Sequence, residues 1–113
     1  MDQNTVLLFT RYGLGEAPEE LQLTLAQKFL TLVLQGDTLP AKILFYTDGV
    51  RLACQGSPVL PLLQALEAQG VELILCQTCL EYFGLADQVE AGVVGGMPAI
   101  LAAMAGAQKV LSL

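Results

Sequence analysis

The chain places two thiols, Cys76 and Cys79, directly after the apolar run Val71-Glu-Leu-Ile-Leu75. Residues three apart on one helical turn have neighbouring Cβ atoms, so a disulfide between the two is geometrically open. Leu80 to Phe83 can close a helical turn before Gly84 ends it. The pair is therefore expected at the carboxyl end of a strand, where open α/β sheets put their ligands and chemistry. A helix start also offers unpaired N–H groups and partial positive charge, which favour thiolate over thiol. On that ground the Cys76 sulfur is expected to be the more acidic and exposed, with Cys79 held within reach of it. Three chemistries fit the spacing: redox or sulfur transfer, structural zinc, and inert packing of two small apolar residues. A structural zinc site needs about four ligands. With no histidine and only Cys54 as a third thiol, no metal is expected. Redox or sulfur transfer is the preferred reading, and inert packing stays open.

The elements that must position this turn follow from the hydrophobic pattern. Thr5 to Phe9 reads as a first strand, Ala41 to Tyr46 as a second and Val71 to Leu75 as a third. Gln88 to Ala91 is a short fourth, and Lys109 to Leu113 a last. Pro18 followed by Glu19 and Glu20 marks a helix start, and Leu21, Leu25, Phe29 and Leu32 give it a face at helical spacing. Gly36 is its natural stop. Asp48-Gly49 opens a long loop through Arg51, Cys54 and Gly56. Ser57-Pro58 starts a second helix, with Val59, Leu62, Leu63 and Leu66 inward and Gly70 at its end. Pro98 to Ala105 is a small-residue helix that Gly106 ends. Alternating strands and helices joined by short loops predict an α/β fold with a mainly parallel sheet and helices on both faces. Strand order is not readable at this level.

In such a fold every loop that follows a strand lies along one edge. Arg11 and Tyr12 follow the first strand, and Asp48, Arg51 and Cys54 the second. Cys76 and Cys79 follow the third, and the Gly92 to Gly96 loop follows the fourth. Both arginines and all three cysteines thus share an edge, while Lys42 and Lys109 start strands at the opposite one and Lys28 lies inside a helix. Arg11, Tyr12, Arg51 and Cys54 are accordingly candidate substrate-binding residues, the guanidinium groups serving a thiolate or an anionic substrate. The competing reading pairs each arginine with a local acid, Glu16 or Asp48. Gly13-Leu-Gly15 is no dinucleotide fingerprint, because Pro18 stands where the third glycine belongs. No phosphate-loop lysine follows a glycine cluster, and no cofactor is expected.

The bulk composition bounds the rest. At 113 residues the chain is read as one domain, residues 1–113, with an ordinary core. It is 54% apolar and only 14% charged, against about 25% charged in a typical protein. So few charges cannot cover the outside, and a homo-oligomer is expected, with the Ala-rich Pro98 to Ala105 helix as the contact. A net charge of −6 with five basic residues excludes a phosphate-backbone partner, so no nucleic acid is expected. No basic segment precedes an apolar run at the start, which predicts no signal peptide, reduced thiols and a cytoplasmic location. Ala91 to Gln108 carries no charge, but Gly92, Gly95, Gly96, Pro98 and Gly106 break it, so no membrane span is expected.

The string Cys76-Gln-Thr-Cys-Leu-Glu-Tyr-Phe-Gly-Leu85 resembles the C-G-T-C-L-D-Y-Y-G-L segment of the DsrE-like proteins. It is most similar to the C-terminal domain of the YedF type, linked to selenium and sulfur metabolism. Phe45-Tyr-Thr-Asp-Gly-Val50, Gln55-Gly-Ser57 and Leu66-Glu-Ala-Gln-Gly-Val-Glu72 extend the resemblance over nearly the whole chain. It implies a three-layer α/β/α fold of about five strands and frequent oligomerisation. It also implies a cysteine that relays sulfur as a persulfide, in the manner of a sulfurtransferase. Cys76 matches the sulfur-carrying cysteine of the wider family, and Cys79 the second cysteine of the C-x-T-C subgroup. Gln77 replaces the usual glycine, and Phe83 stands where some relatives carry arginine. The TusA-type sulfur-carrier domain that commonly precedes this domain in YedF proteins is not among the 113 residues, so a separate TusA-like carrier is the expected partner. The expected function is a sulfur or selenium relay in which Cys76 accepts the sulfane atom and Cys79 resolves or protects it. The alternative is a non-catalytic oligomeric module that binds a small ligand or a protein at the same edge.

Overall fold

A computed structural model describes residues 1–113. Five strands, β1 (Thr5–Phe9), β2 (Lys42–Phe45), β3 (Glu72–Cys76), β4 (Val93–Gly95) and β5 (Lys109–Ser112), form one sheet in the order β4-β3-β2-β1-β5. Every pair is parallel. The connections are α1 (Glu19–Gln35), a 3-10 segment (Thr47–Ala53) with α2 (Leu60–Ala68), α3 (Gln77–Phe83) and α4 (Met97–Gly106). In the right-handed sense usual for parallel crossovers, this order sends α1, α2 and α3 to one face and α4 alone to the other. The fold is the expected α/β one. Past their first residues, Thr5, Lys42 and Glu72, the three central strands are apolar because both of their faces are covered. Phe9 and Phe45 stack with ring centroids 5.8 Å apart inside a single core cluster.

Several element readings need correction. The stripe Leu21, Leu25, Phe29 and Leu32 is not the buried face: Leu21, Leu25 and Leu32 are exposed, Phe29 packs partly buried against the core, and Ala26, Leu30 and Val33 are the buried residues of α1. Apolar residues surround this helix, so periodicity offered two faces, and the one carrying Ala26, Leu30 and Val33 is the one covered. The loop after β2 is largely 3-10 helix, tied back by Cys54 N–H to the Arg51 carbonyl. Ser57 does not cap α2 directly. Its hydroxyl accepts from the Val59 N–H in a turn, and the helix starts at Leu60 with Pro61 in its first turn.

The fourth strand is also elsewhere. Gln88 to Ala91 contributes only a bridge between Val89 and Cys54, whereas Val93–Gly95, inside the expected glycine loop, pairs with Ile74–Cys76. Gly92 makes this possible: its φ is +81°, and a Cβ there would meet the Leu73 carbonyl at 2.9 Å. Two glycines and three strand residues are too short a signal for alternation to resolve. The uncharged Ala91 to Gln108 segment is thus β4 plus α4, and no helix is long and apolar enough to cross a membrane.

Candidate functional site

Cys76 is the last residue of β3 and Cys79 lies in the first turn of α3. The turn folds as expected, closing at Gly84 in the left-handed conformation, φ +68°. Leu80 anchors it as the one buried residue of this seven-residue helix. The accessibility of the two sulfurs is the reverse of the expectation. Cys76 is only 1% exposed, whereas Cys79 is half-buried. No N–H of the α3 turn bonds to the Cys76 side chain. The strand end carries Cys76 inward because alternation places it on the same face as the buried Leu44 and Ile74.

The N–H that does meet a sulfur comes from another element. Thr47, the first residue after Tyr46, donates its backbone N–H to Cys79 Sγ at 3.1 Å. Thr47 is the single non-glycine residue with positive φ, +50°, which a β-branched residue rarely adopts. Its hydroxyl is directed at the carbonyls of Thr10 and Tyr46, and the Tyr46 N–H donates to the Phe9 carbonyl at 3.2 Å. The turn after β2 is therefore fastened to the end of β1 and reaches across to α3. Burial pushes the Cys79 thiol above its usual 9.0; the Thr47 N–H pulls it down, and the Cys76 thiol and the Asp48 carboxylate push it up again. Sequence reading missed Thr47. The available signal was a threonine followed by Asp-Gly at a strand end, a context in which turn residues with positive φ are common.

Arg11, Tyr12, Arg51 and Cys54 are brought together, but apart from the thiol pair. They line a cleft of about 880 Å³ between the loop after β1, the 3-10 segment and the residues after α3. Neither Cys76 nor Cys79 lines it. Each arginine has a local acid, as the competing reading held: Arg11 lies 3.9 Å from Glu16, and Arg51 Nε lies 3.1 Å from Asp48. Arg51 also stacks its guanidinium over the Phe83 ring, 4.3 Å from the centroid. The aromatic at position 83 thus holds on α3 a cation supplied by the 3-10 segment. Cys54 is buried, donates to the Val50 carbonyl at 3.2 Å, and has its thiol pushed above 9.0 by burial, with Arg51 opposing. Tyr12 is likewise pushed above 10.0, first by burial and next by Glu19.

Arg51→Ala should therefore leave the reactivity of Cys79 unchanged and make Cys54 still less acidic. Its stability cost should be about 1 kcal/mol, from the lost stacking and ion pair. Alkylation of each cysteine against pH, read by peptide mass, checks this. A shift in the Cys79 curve would mean that the guanidinium reaches the pair after all.

The DsrE/DsrF-like family matches residues 4–113. Among solved structures, the chain is similar to the ychN protein of E. coli, with a TM-score of 0.74, 20% identity and 100% of both chains covered. It is similar to a protein of unknown function from Methanobacterium thermoautotrophicum, with a TM-score of 0.67, 18% identity, and 96% of this chain and 97% of that one covered. A conserved protein of unknown function from Bacteroides thetaiotaomicron gives a TM-score of 0.68 at 16% identity, over 97% of this chain and 95% of that one. At these identities the structures establish the shared fold alone. A comparison with curated proteins finds no match.

Proposed function

The chain belongs to the DsrE/DsrF-like family, and on that premise we propose that it carries sulfane sulfur, or selenium in its place, as a persulfide on the Cys76–Cys79 pair. The observation that carries this reading is a half-exposed sulfur in the first turn after β3 that receives a backbone N–H from a separate element. A thiolate there attacks the outer sulfur of a donor persulfide, forming one S–S bond and releasing the donor thiolate. A second thiolate, on an acceptor such as a TusA-like carrier, then takes the same sulfur atom. The rate of each step follows thiolate fraction and access. The test is intact mass after incubation with inorganic polysulfide. One added sulfur per chain, removed by a thiol reductant, is expected; no adduct on any cysteine would end the persulfide reading.

A second reading has its own support. The cleft lined by Arg11, Tyr12, Arg51 and Cys54 stands apart from the thiol pair and suits a non-catalytic module that binds a small polar ligand. Ligand binding without sulfur loading would favour it.

The proposal extends to self-association. Val93 and Val94 on the edge strand β4, and Met97 and Leu101 on α4, are large apolar side chains that remain exposed. A monodisperse oligomer is expected by light scattering, and Leu101→Glu should shift it toward smaller species. A monomer at every concentration would remove this part of the proposal.

A further inference from the structure

The thiol pair holds two chemically identical groups in different surroundings, and the difference points against the order that chain position suggests. Cys76 ends a strand and is closed off from solvent. Cys79 is reachable and is the sulfur that a backbone N–H meets. That N–H belongs to a threonine in a left-handed conformation that a β-branched residue rarely adopts. The strain is maintained by Oγ1 of Thr47, directed at the carbonyls of Thr10 and Tyr46, and by Gly49, packed with no room for a Cβ against the Phe9 carbonyl. A relaxed turn with negative φ at residue 47 would aim the N–H elsewhere. The chain holds the costly geometry, and its one visible product is a donor directed at Cys79 Sγ.

We infer that Thr47 is a positioning residue whose backbone N–H holds and stabilises the Cys79 sulfur as an anion, so that Cys79, and not Cys76, is the attacking sulfur of the pair. This rests on the persulfide reading for its substrate, though not for its geometry. The Cys79 thiolate attacks the outer sulfur of a hydropersulfide donor R–S–SH. The bond between the two donor sulfurs breaks, RS⁻ leaves, and Cys79–S–SH is formed with no net redox change. Cys76, close behind, then has two fates open to it. It stays a thiol while an external thiolate takes the outer sulfur, regenerating the Cys79 thiolate. Alternatively its own thiolate attacks Cys79 Sγ, the S–SH bond breaks, and HS⁻ leaves. In that case the two cysteines are oxidised to a disulfide and the sulfane atom is reduced to sulfide. Cys76 is on this assignment the resolving thiol.

The roles separate by substitution. With inorganic polysulfide as the probe, Cys76→Ser should load one sulfur and retain it longer than the unmodified chain, because the internal thiol that expels sulfide is gone. Cys79→Ser should not load. Loading of Cys79→Ser at the normal rate overturns the assignment. The N–H itself is tested by an amide-to-ester replacement at residue 47, which exchanges that one donor for oxygen and keeps the side chain. Cys79 should then alkylate about tenfold more slowly near neutral pH, its curve moving up by about one pKa unit while that of Cys54 stays in place. Thr47→Val, which loses the hydroxyl anchor, should move the Cys79 curve in the same direction, and Thr47→Ser should restore it. A Cys79 curve that the ester leaves unmoved overturns the role of Thr47. Should the alkylation shifts occur while no form of the protein loads sulfur, the positioning stands and the persulfide reading alone falls.

Discussion

Gly49→Ala should cost about 3 kcal/mol of stability, the upper end of what overpacking produces. A Cβ at residue 49 would fall within the Phe9 carbonyl group, with the carbonyl carbon 2.6 Å away and the Thr10 nitrogen 3.2 Å away. Those atoms are backbone at the end of a central strand and cannot rotate aside as a side chain would. Residue 49 has no positive φ, so the clash and not the backbone conformation is responsible. Relief requires the 3-10 segment to lift from β1, and the segment carries Thr47 with it. Urea unfolding should show the loss in the midpoint with little change in slope. The Cys79 alkylation curve should move to higher pH in the folded protein. Stability within about 0.5 kcal/mol of the unmodified chain, the usual range for an uninvolved surface site, would show that the segment slides freely and that the close approach does not matter.

Leu80→Ala should be as costly and should act on the other side of the same contact. Leu80 is fully buried, so truncation removes apolar contact and leaves a cavity, about 2–5 kcal/mol in comparable sites. The seven residues of α3 fall well short of the roughly 12–15 that an isolated helix needs, so the helix stands on this anchor and on its packing against the 3-10 segment. Local opening of α3 should expose Cys76, which is otherwise closed off, and its alkylation should accelerate more than that of Cys79. Tyr82→Ala is the control: Tyr82 is 85% exposed on the same helix, and its loss should change stability by no more than about 0.5 kcal/mol. If Leu80→Ala unfolds at the normal midpoint and Cys76 stays protected, α3 is held by something other than its apolar anchor.

Both substitutions also bear on thiol ionisation and stability. Burial raises Cys79 and Cys54 above the usual thiol value of 9.0. A raised folded-state pKa means that the native chain holds these protons more tightly than the unfolded one. The contribution to stability is therefore whole below 9.0 and is lost as pH rises through the raised values.

Thr5 to Phe9 and Ala41 to Tyr46 were legible as strands, the second trimmed to Lys42–Phe45 by the structure. The reason is that a central parallel strand is buried on both faces and reads as an apolar run, here Val6 to Phe9 and Ile43 to Phe45. The helices were legible from their punctuation, Pro18 and Gly36 around α1 and Gly84 after α3. The shared edge was legible too, because in a parallel sheet chain order alone decides which loops fall on one side. That placed Cys76, Cys79, Arg11, Tyr12, Arg51 and Cys54 together before any contact was known.

The contacts themselves were decided by the tertiary structure. Which face of α1 turns inward, the one with Ala26, Leu30 and Val33, is a matter of fit between elements. The strand at Val93–Gly95 exists because β3 offers it an edge, and three residues have too little local preference to declare it. The thiol pair is the sharpest case. Spacing and the strand end spoke for Cys76, since they know only what precedes and follows it in the chain. The donor that meets Cys79 comes from Thr47, 32 residues earlier, and the burial of Cys76 comes from the alternation of a strand packed on both faces. Local sequence determined that two sulfurs sit at this edge; long-range packing decided which of them is within reach and which is closed away.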